Sequence, residues 1–285
     1  MLTIETENLS LPDIAVSGQC FRWQVAEGGY RIVAFGKALH AAQSVDESRL
    51  YLDCSEADYQ RYWRDYFDLK TDYGAIIRAI PEDDAYLRAA AACGAGIRIL
   101  RQDPWETLIT FLLSQRKNIP AIRQAVEKLC AAGGRIIAEE AAGPVYAFPA
   151  PGEIMSLSNE RLRACGLGYR APYVRRAAEV CCGLETPLAG LADLPDGALY
   201  DALCAFYGVG RKIALCAMLF GFHRLNAFPM DVWMNRVAER HYPGGIPIER
   251  YAPWAGVMQQ YMFAYERELA GKSEAALCIS AAADA

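Results

Sequence analysis

Residues 203–240 read LCAFYGVGRKIALCAMLFGFHRLNAFPMDVWMNRVAER, a stretch that predicts helices joined by a tight turn. Two short helical patterns flank the turn at residues 207–210. Gly208 and Gly210 suit a hairpin that needs positive φ and a close approach of the backbone. The backbone N–H groups that open the second helix have no partner inside that helix. Such a turn predicts a phosphate-binding site.

A lysine and an aspartate complete this pattern. Lys212 opens the second helix and precedes an apolar run at residues 213–220. Asp231 follows nineteen residues after Lys212, at a position where it would cap a third helix. An amine held against apolar surface loses part of its proton affinity and becomes a nucleophile near neutral pH. Each feature alone is typical of a solvated lysine or an ordinary cap, but their combination favours a catalytic pair.

The motifs GVGRK-x3-C (residues 208–216) and FP-x-DVW (residues 228–233) resemble the helix-hairpin-helix, Gly/Pro-rich loop and aspartate of a superfamily of base-excision DNA glycosylases. Within it they are most similar to the 8-oxoguanine DNA glycosylases. The resemblance implies that Lys212 attacks C1′ of the damaged nucleotide and that Asp231 stabilises the developing positive charge. It also implies AP lyase activity, since relatives that use water as the nucleophile lack the lysine.

The N-terminal part predicts an antiparallel sheet. Residues 20–53 read as strands, with a hairpin at Gly28-Gly29. The segment from Ser55 to Ala92 has helical spacing with an aromatic stripe, for which core packing is the favoured interpretation. The motif SGQCFRW (residues 17–23) resembles the family's GQ-small-FRW, which implies that the backbone carbonyl of Gly18 accepts the N7 hydrogen of 8-oxoguanine.

From Ile97 onward the pattern is almost wholly helical. Helix starts are predicted at Asp103, Asn118 and Ser158, and the helix that starts at Asp103 is expected to end near Arg116-Lys117. The segment QDPWETLITFLLSQRKNI (residues 102–119) resembles the one that enters the gap left by the extruded base. It implies DNA contacts at three residues of an interhelical turn: Arg116, Lys117 and Asn118. The alternative is that the basic pair is only solvated. Because the family usually has asparagine at Arg116 and often arginine at Ala121, we expect a relaxed preference for the opposite base.

Two further segments carry DNA and base contacts by resemblance. GLGYRAPYV (residues 166–174) matches GLGYRA-x-YV, in which Tyr169 would wedge into the duplex and Arg170 would reach the opposite base. On the last helix, predicted from Trp254 to Leu269, Gln259 would face the Watson–Crick edge and Phe263 would stack on the base. Cys216 would lie on the other face of the base.

No catalytic cofactor is implied, and a structural monovalent or calcium ion is expected on the hairpin carbonyls of Cys204, Phe206 and Val209 by resemblance. Some relatives carry an iron-sulfur cluster on four cysteines near the C-terminus. Only Cys278 lies beyond Cys216, so that cluster cannot be built here. The family often has a histidine at Trp233, and the sequence does not explain the replacement.

The predicted fold class is α+β, with a twisted antiparallel, TBP-like sheet domain packed on a mostly helical, two-lobed helix-hairpin-helix glycosylase domain. The expected boundaries are 1–95 for the sheet domain and 96–270 for the helical domain. The lobes of the helical domain span about 105–195 and 196–270. Residues 271–285 form a tail with no assigned role.

The charge distribution decides how a nucleic-acid partner fits. The net charge of −5 over 285 residues argues against one, but residues 96–265 carry 18 basic and 15 acidic side chains, a balance of +3. The expected partner is therefore double-stranded DNA containing a damaged purine. The chain has neither a bilayer-length apolar run nor a signal peptide pattern, so we expect a cytoplasmic, nucleoid-associated monomer.

These features together predict a bifunctional DNA glycosylase and AP lyase of base-excision repair that removes 8-oxoguanine. Two alternatives stay open at this stage. One is a glycosylase for alkylated or other oxidised purines, because residues 116 and 121 depart from the family pattern. The other is a non-catalytic DNA-binding protein that uses the hairpin only for phosphates.

Overall fold

A computed structural model describes the backbone of residues 1–183 and 188–283, and the side chains of residues 1–183 and 188–271. The predicted tail lies almost wholly outside the described side chains. Among the described residues, none of the helices combines the length and the apolar character that crossing a bilayer requires.

Helices make up most of the chain after residue 97, as predicted. The α-helices are α1 Leu11–Val16, α2 Glu56–Asp58, α3 Arg64–Tyr66, α4 Tyr73–Arg78, α5 Ala85–Cys93, α6 Pro104–Ser114, α7 Ile119–Gly133, α8 Pro151–Ser156, α9 Asn159–Ala164, α10 Ala171–Gly183, α11 Asp196–Cys204, α12 Arg211–Cys216, α13 Val232–His241 and α14 Ala255–Ala283. Single π-helical turns join α2 to α3 at Tyr59–Trp63 and extend α12 at Ala217–Gly221.

The N-terminal sheet has five antiparallel strands, β1 Leu2–Glu5, β2 Trp23–Ala26, β3 Gly29–Ala34, β4 Lys37–Gln43 and β5 Arg49–Leu52. Their order is β1-β5-β4-β3-β2. The four strands predicted within residues 20–53 are confirmed. Their hairpin turns at Gly28, with φ +69°, and at Gly29, where a Cβ would collide with the carbonyl oxygen of Ala41. Four residues were too few for β1 to show a pattern.

The aromatic stripe packs under this sheet. Trp63, Tyr66 and Phe67 are each at most 2% exposed. The indole N–H of Trp23 in β2 donates to the hydroxyl of Tyr66 at 2.7 Å, which ties the stripe to the sheet. The prediction of core packing is confirmed.

A second hairpin, β6 Ile136–Glu140 and β7 Gly143–Tyr146, was missed by the sequence analysis. Its strands are mostly exposed or half-buried, so they show no alternation of apolar and polar residues.

Local capping signals set the helix starts around the site. Side-chain oxygens of Asp103, Asn118 and Ser158 each accept a backbone N–H three residues later, at 2.9, 3.0 and 3.2 Å. These bonds open α6, α7 and α9 where the sequence predicted. The helix α6 ends at Ser114, two residues before the predicted end.

The sheet and the helices are joined by buried polar contacts. Arg98, only 5% exposed, donates to four backbone carbonyls from separate segments, those of Glu7, Asn8, Asp68 and Thr71. Asp68 also pairs with His223 at 3.2 Å, so it connects the N-terminal part to the segment after α12. The predicted α+β architecture is confirmed.

Candidate active site

A cleft of about 520 Å³ brings most of the predicted site residues together. The predicted residues that line it are Gly18, Arg116, Lys117, Asn118, Lys212, Cys216, Asp231, Gln259 and Phe263. The four remaining predicted DNA contacts are not in its lining: Tyr169, Arg170, Gly208 and Gly210.

Lys212 lies on the second residue of α12, and its side chain is exposed. The following residues Ile213 and Ala214 are buried in the helical core. The expectation of an amine held against apolar surface is therefore wrong, because the helix turns its apolar face away from Lys212. Lys212 instead lines the cleft with an exposed side chain, so a substrate can reach its amine.

Asp231 also lines the cleft and caps α13, as predicted. Its Oδ1 accepts the backbone N–H groups of Trp233 at 2.9 Å and Met234 at 3.0 Å. Both of these bonds are made by Oδ1, and Oδ2 makes no hydrogen bond within the described chain. The cap fixes the carboxylate while one oxygen stays available for a positive charge.

Gly18 lies at the inner end of the cleft against the ring of Phe263. Its φ is +77°, and a Cβ would stand 3.4 Å from Cε1 of Phe263 and 3.7 Å from Cδ1 of Ile119. A larger residue would be strained by the backbone conformation and would crowd this ring. The glycine therefore lets the ring of Phe263 pack directly against the backbone at residue 18.

Gln19, a residue that the sequence analysis left without a role, anchors this backbone. Its Nε2 donates to the carbonyl of Arg98 at 2.9 Å and to Oγ of Ser17 at 3.0 Å. Its Oε1 accepts the N–H of Leu100 at 2.8 Å. At 1% exposure, this fully used amide holds residues 17–20 in one conformation. The signal that could have identified Gln19 is its position inside the motif SGQCFRW (residues 17–23).

Aromatic and cationic groups surround Phe263. Trp233 lies edge-on to it with ring centroids 6.4 Å apart, and the guanidinium of Arg236 covers Trp233 at 5.0 Å. The guanidinium of Arg267 lies 5.5 Å from the Phe263 centroid and donates to the carbonyl of Val16. Trp233 is thus part of the pocket wall, which gives this unexplained residue a place.

Cys216 lies one turn after Lys212 and is 3% exposed. Burial raises the pKa of its thiol to about 12, although the nearby charge of Lys212 lowers it. The thiol is therefore neutral at physiological pH and offers a small polarizable surface to the cleft.

The hairpin needs one of its two glycines for conformation. Gly208 has φ +88°, and a Cβ there would stand 2.6 Å from Cγ of Tyr173. Gly210 is extended, with φ −98° and ψ 178°, and nothing lies within 4 Å of a Cβ built on it. The prediction of positive φ is confirmed at Gly208 and wrong at Gly210, where the open space leaves room for a ligand.

In the turn between α6 and α7, the three predicted DNA contacts differ in how far their side chains are held by hydrogen bonds to the rest of the protein. Arg116, with φ +52°, is exposed, and its side chain makes no hydrogen bond or ion pair within the described residues. Lys117 donates through Nζ to the carbonyl of Gly166 at 2.7 Å. Partial burial and the charges of Arg170 and Lys128 lower the pKa of Lys117. Arg116 is therefore the residue of this turn best placed to reach a ligand.

Tyr169 and Arg170 lie against each other but differ in exposure. Tyr169 is 49% exposed, whereas Arg170 is 6% exposed with its guanidinium 4.3 Å from the Tyr169 ring centroid. Arg170 donates to the carbonyls of Leu167, at 3.3 Å, and Gln115. In this conformation Arg170 supports Tyr169 and the end of α6, so the predicted contact with an opposite base would require it to leave these carbonyls.

A helix-hairpin-helix beside a cleft with a lysine and a capping aspartate defines the class of helix-hairpin-helix DNA glycosylases. Residues 109–245 match the family described as HhH-GPD superfamily base excision DNA repair protein. Residues 1–108 match the family described as 8-oxoguanine DNA glycosylase, N-terminal domain. The chain belongs to the 8-oxoguanine DNA glycosylase family.

Similar proteins agree with this assignment. A solved structure of MBOgg1 with a low-affinity DNA ligand is 33% identical, with a TM-score of 0.87, and the match covers 95% of this chain and 100% of that one. The 8-oxoguanine glycosylase/lyase of Clostridium acetobutylicum, solved with duplex DNA containing cytosine opposite 8-oxoG, is 31% identical with a TM-score of 0.85, covering 94% and 98%. The N-glycosylase/DNA lyase of Saccharomyces cerevisiae is 29% identical over 85% of this chain and 70% of its own length.

Proposed function

We propose that this chain extrudes 8-oxoguanine nucleotides from duplex DNA, excises the base through a Schiff base on Lys212, and cleaves the strand by β-elimination. The enzyme is a DNA N-glycosylase with AP lyase activity, in keeping with its family. The observation that carries the proposal is that Lys212, Asp231 and the Gly18–Phe263 pocket line one cleft.

The first step breaks the bond between C1′ and N9. The purine leaves with the bonding electrons and takes up a proton, while C1′ gains oxocarbenium character. The carboxylate of Asp231, held by its cap, is the electrostatic complement of that charge. Lys212 attacks C1′ in its deprotonated form, and the resulting secondary ammonium releases one proton.

The second step cleaves the strand. Opening of the sugar ring gives an imine between Lys212 and C1′, which makes the hydrogens on C2′ acidic. Loss of one C2′ proton forms a C2′–C3′ double bond and expels the 3′ phosphate. Water then hydrolyses the imine and regenerates the lysine.

Base recognition uses four residues that line the cleft: Gly18, Cys216, Gln259 and Phe263. The carbonyl of Gly18 accepts the N7 hydrogen that 8-oxoguanine has and guanine lacks. Phe263 and Cys216 hold the two faces of the base, and Gln259 meets its Watson–Crick edge. The anchoring of residues 17–20 by Gln19 supports this assignment, since a single acceptor discriminates only when its position is fixed.

The outer surface grips the DNA. The backbone N–H groups at Gly208 and Gly210 bind a phosphate, and the exposed Tyr169 fills the space of the extruded nucleotide. Arg116 lines the cleft, while the side chain of Ala121 offers no donor. A relaxed preference for the opposite base follows from this pair.

Three further expectations remain proposals. A structural monovalent or calcium ion would bind the carbonyls of Cys204, Phe206 and Val209. The Phe206 carbonyl already accepts the Val209 N–H at 3.0 Å, so its second lone pair would serve the ion. The protein acts as a monomer on duplex DNA, and its place is the cytoplasm, at the nucleoid.

Two alternative functions, removal of alkylated purines and non-catalytic DNA binding, have weaker support. Removal of alkylated purines is supported by the fold alone, through the 3-methyladenine DNA glycosylase of Archaeoglobus fulgidus, which is 20% identical with a TM-score of 0.71. A non-catalytic DNA-binding role leaves the paired placement of Lys212 and Asp231 without a purpose.

The test is a panel of duplexes under single-turnover conditions. One set carries 8-oxoguanine opposite each of the four bases, and a second carries 7-methylguanine. We expect base release and strand cleavage on the 8-oxoguanine set, with rates that vary by less than about tenfold among opposite bases, since the cost of a wrong contact is about 1–3 kcal/mol when it is read. Activity on the alkylated duplex alone would contradict the proposal.

A further inference from the structure

The residue after Gln259 has a buried polar atom without a partner. Gln260 lies on α14, is 4% exposed and lines the same cleft as Lys212. Its Nε2 donates to Oε1 of Gln259 at 3.0 Å. Its own Oε1 is buried and accepts no hydrogen bond within the described chain. An unsatisfied buried carbonyl oxygen is unfavourable, so a ligand that supplies a hydrogen-bond donor there is stabilised.

The bond between the two amides also sets the direction of Gln259. Because Oε1 of Gln259 accepts from Gln260, it keeps one lone pair for a further donor. Gln259 and Gln260 both line the cleft. Two neighbouring amide oxygens that can each accept a further hydrogen bond therefore lie at its wall, and that of Gln260 is buried from solvent. A ligand that satisfies both needs two hydrogen-bond donors next to each other.

The purines differ in this respect. The Watson–Crick edge of guanine and of 8-oxoguanine carries N1–H and the 2-amino group side by side, two adjacent donors. Hypoxanthine has N1–H without the amino group. Adenine has an acceptor at N1 in place of the donor. Only bases with a 2-amino group beside a protonated N1 match the pair of oxygens.

We infer that Oε1 of Gln260 accepts a hydrogen bond from the 2-amino group of the extruded base, while Gln259 takes N1–H. Gln260 is thereby a second specificity residue for guanine-derived lesions. This inference rests on the proposed function, because it needs the base to occupy the cleft. Loss of the amino group leaves the oxygen buried and unpaired, which is expected to slow excision about 10- to 100-fold.

The test compares two lesions that differ in one group. Duplexes carry 8-oxoguanine or 8-oxohypoxanthine opposite cytosine. Both bases keep the 8-oxo group, N7–H and O6, and only the second lacks the 2-amino group. Single-turnover excision rates are measured for the wild type, for Gln260→Leu, which keeps the size but removes the acceptor, and for Gln124→Leu. Gln124 is an exposed glutamine on α7 that does not line the cleft.

We expect the wild type and Gln124→Leu to excise 8-oxoguanine about 10- to 100-fold faster than 8-oxohypoxanthine. In Gln260→Leu the ratio should fall below about threefold, mainly because 8-oxoguanine is excised more slowly. A ratio in Gln260→Leu that stays at the wild-type value would overturn the inference, whether both rates are unchanged or both fall by the same factor. Should Gln260→Leu not fold, a wild-type ratio near one still overturns it.

These outcomes separate the inference from the function on which it rests. A wild type that excises both lesions at the same rate retains the proposed activity and contradicts the role of Gln260. A wild type that excises neither lesion contradicts the proposed function itself.

Discussion

The ring of Tyr173 packs directly on the backbone of Gly208, where a Cβ would stand only 2.6 Å from Cγ of the tyrosine. The same ring contacts Tyr169 edge-on at 6.0 Å and Tyr207 edge-on at 5.1 Å. Tyr173 therefore joins the hairpin at Gly208 to the exposed Tyr169. In the function proposed above these are two of the elements that contact DNA, and a shared packing residue that holds them together in the free protein lowers the entropy cost of binding.

The two hairpin glycines provide a matched pair of substitutions. Gly208→Ala should lower the free energy of unfolding by about 1–3 kcal/mol, because it combines a positive φ with a collision against Tyr173. Gly210→Ala meets open space and should change stability by less than about 1 kcal/mol. Gly210→Ala should nevertheless weaken binding to duplex DNA, because its methyl group occupies the expected phosphate position. Thermal unfolding and DNA titration would measure both effects, and equal destabilisation by the two substitutions would contradict this account of the hairpin.

Asp231 can lose its charge and keep its cap. Asparagine accepts the same backbone N–H groups, so Asp231→Asn should change the free energy of unfolding by less than about 1 kcal/mol. Excision of 8-oxoguanine should fall at least about 100-fold, because the positive charge at C1′ loses its counter-charge. The control is Asp72→Asn, an exposed aspartate that caps α4 away from the cleft. Full activity in Asp231→Asn would remove the carboxylate from the mechanism.

Tyr169 and Arg170 are neighbours with different predicted roles. Tyr169→Ala removes an exposed ring, so excision from duplex DNA should slow while the melting temperature changes little. Arg170→Ala removes buried charge-assisted bonds to Leu167 and Gln115 and should cost about 2–3 kcal/mol of stability. Calorimetry and single-turnover excision would separate the two. A stable Arg170→Ala protein with slowed excision would instead place Arg170 in direct contact with DNA.

Glu106 in α6 predicts a pH-dependent loss of stability. Burial raises the pKa of its carboxyl from 4.5 to about 7, against the attraction of Arg22 and with added repulsion from Asp103 and Glu127. The folded pKa is the higher one, so the unfolded chain releases this proton first as pH rises. The stabilisation that protonated Glu106 gives the folded state is fully present below pH 4.5 and is lost as the pH rises to about 7.

Glu106→Gln cannot ionise, so the substitution should stabilise the protein at pH 8 relative to the wild type, by about 1–3 kcal/mol. The difference between the two proteins should shrink as pH is lowered toward 4.5. Urea unfolding across this range measures it. A difference that is the same at every pH would show that Glu106 titrates normally.

Much of the fold and site is encoded by local signals. Helix caps at Asp103, Asn118 and Asp231 were predicted because a cap depends on a side chain and a backbone N–H within three residues. The hairpin at Gly208 and the strands of the sheet followed from equally local patterns. Motifs around Lys212 and Gly18 then indicated which local elements would meet in the cleft.

Prediction from the sequence failed for features that depend on contacts between distant segments. Arg170 faces inward because the carbonyl of Gln115 lies beside it in space, and no local pattern indicates that. Lys212 is exposed because the orientation of α12 is set by the whole helical core. The orphan oxygen of Gln260 is visible only when every neighbouring donor is placed. Burial and satisfaction of polar groups are properties of the assembled fold.

Borohydride trapping tests the central claim, that Lys212 is the nucleophile, most directly. Wild type, Lys212→Gln and the control Arg211→Gln, an exposed neighbour outside the cleft lining, are each incubated with an 8-oxoguanine duplex and borohydride. We predict a covalent protein–DNA adduct for wild type and Arg211→Gln, and none for Lys212→Gln, since glutamine cannot form an imine. An adduct that persists in Lys212→Gln, or none with the wild type, would contradict the mechanism proposed for this enzyme.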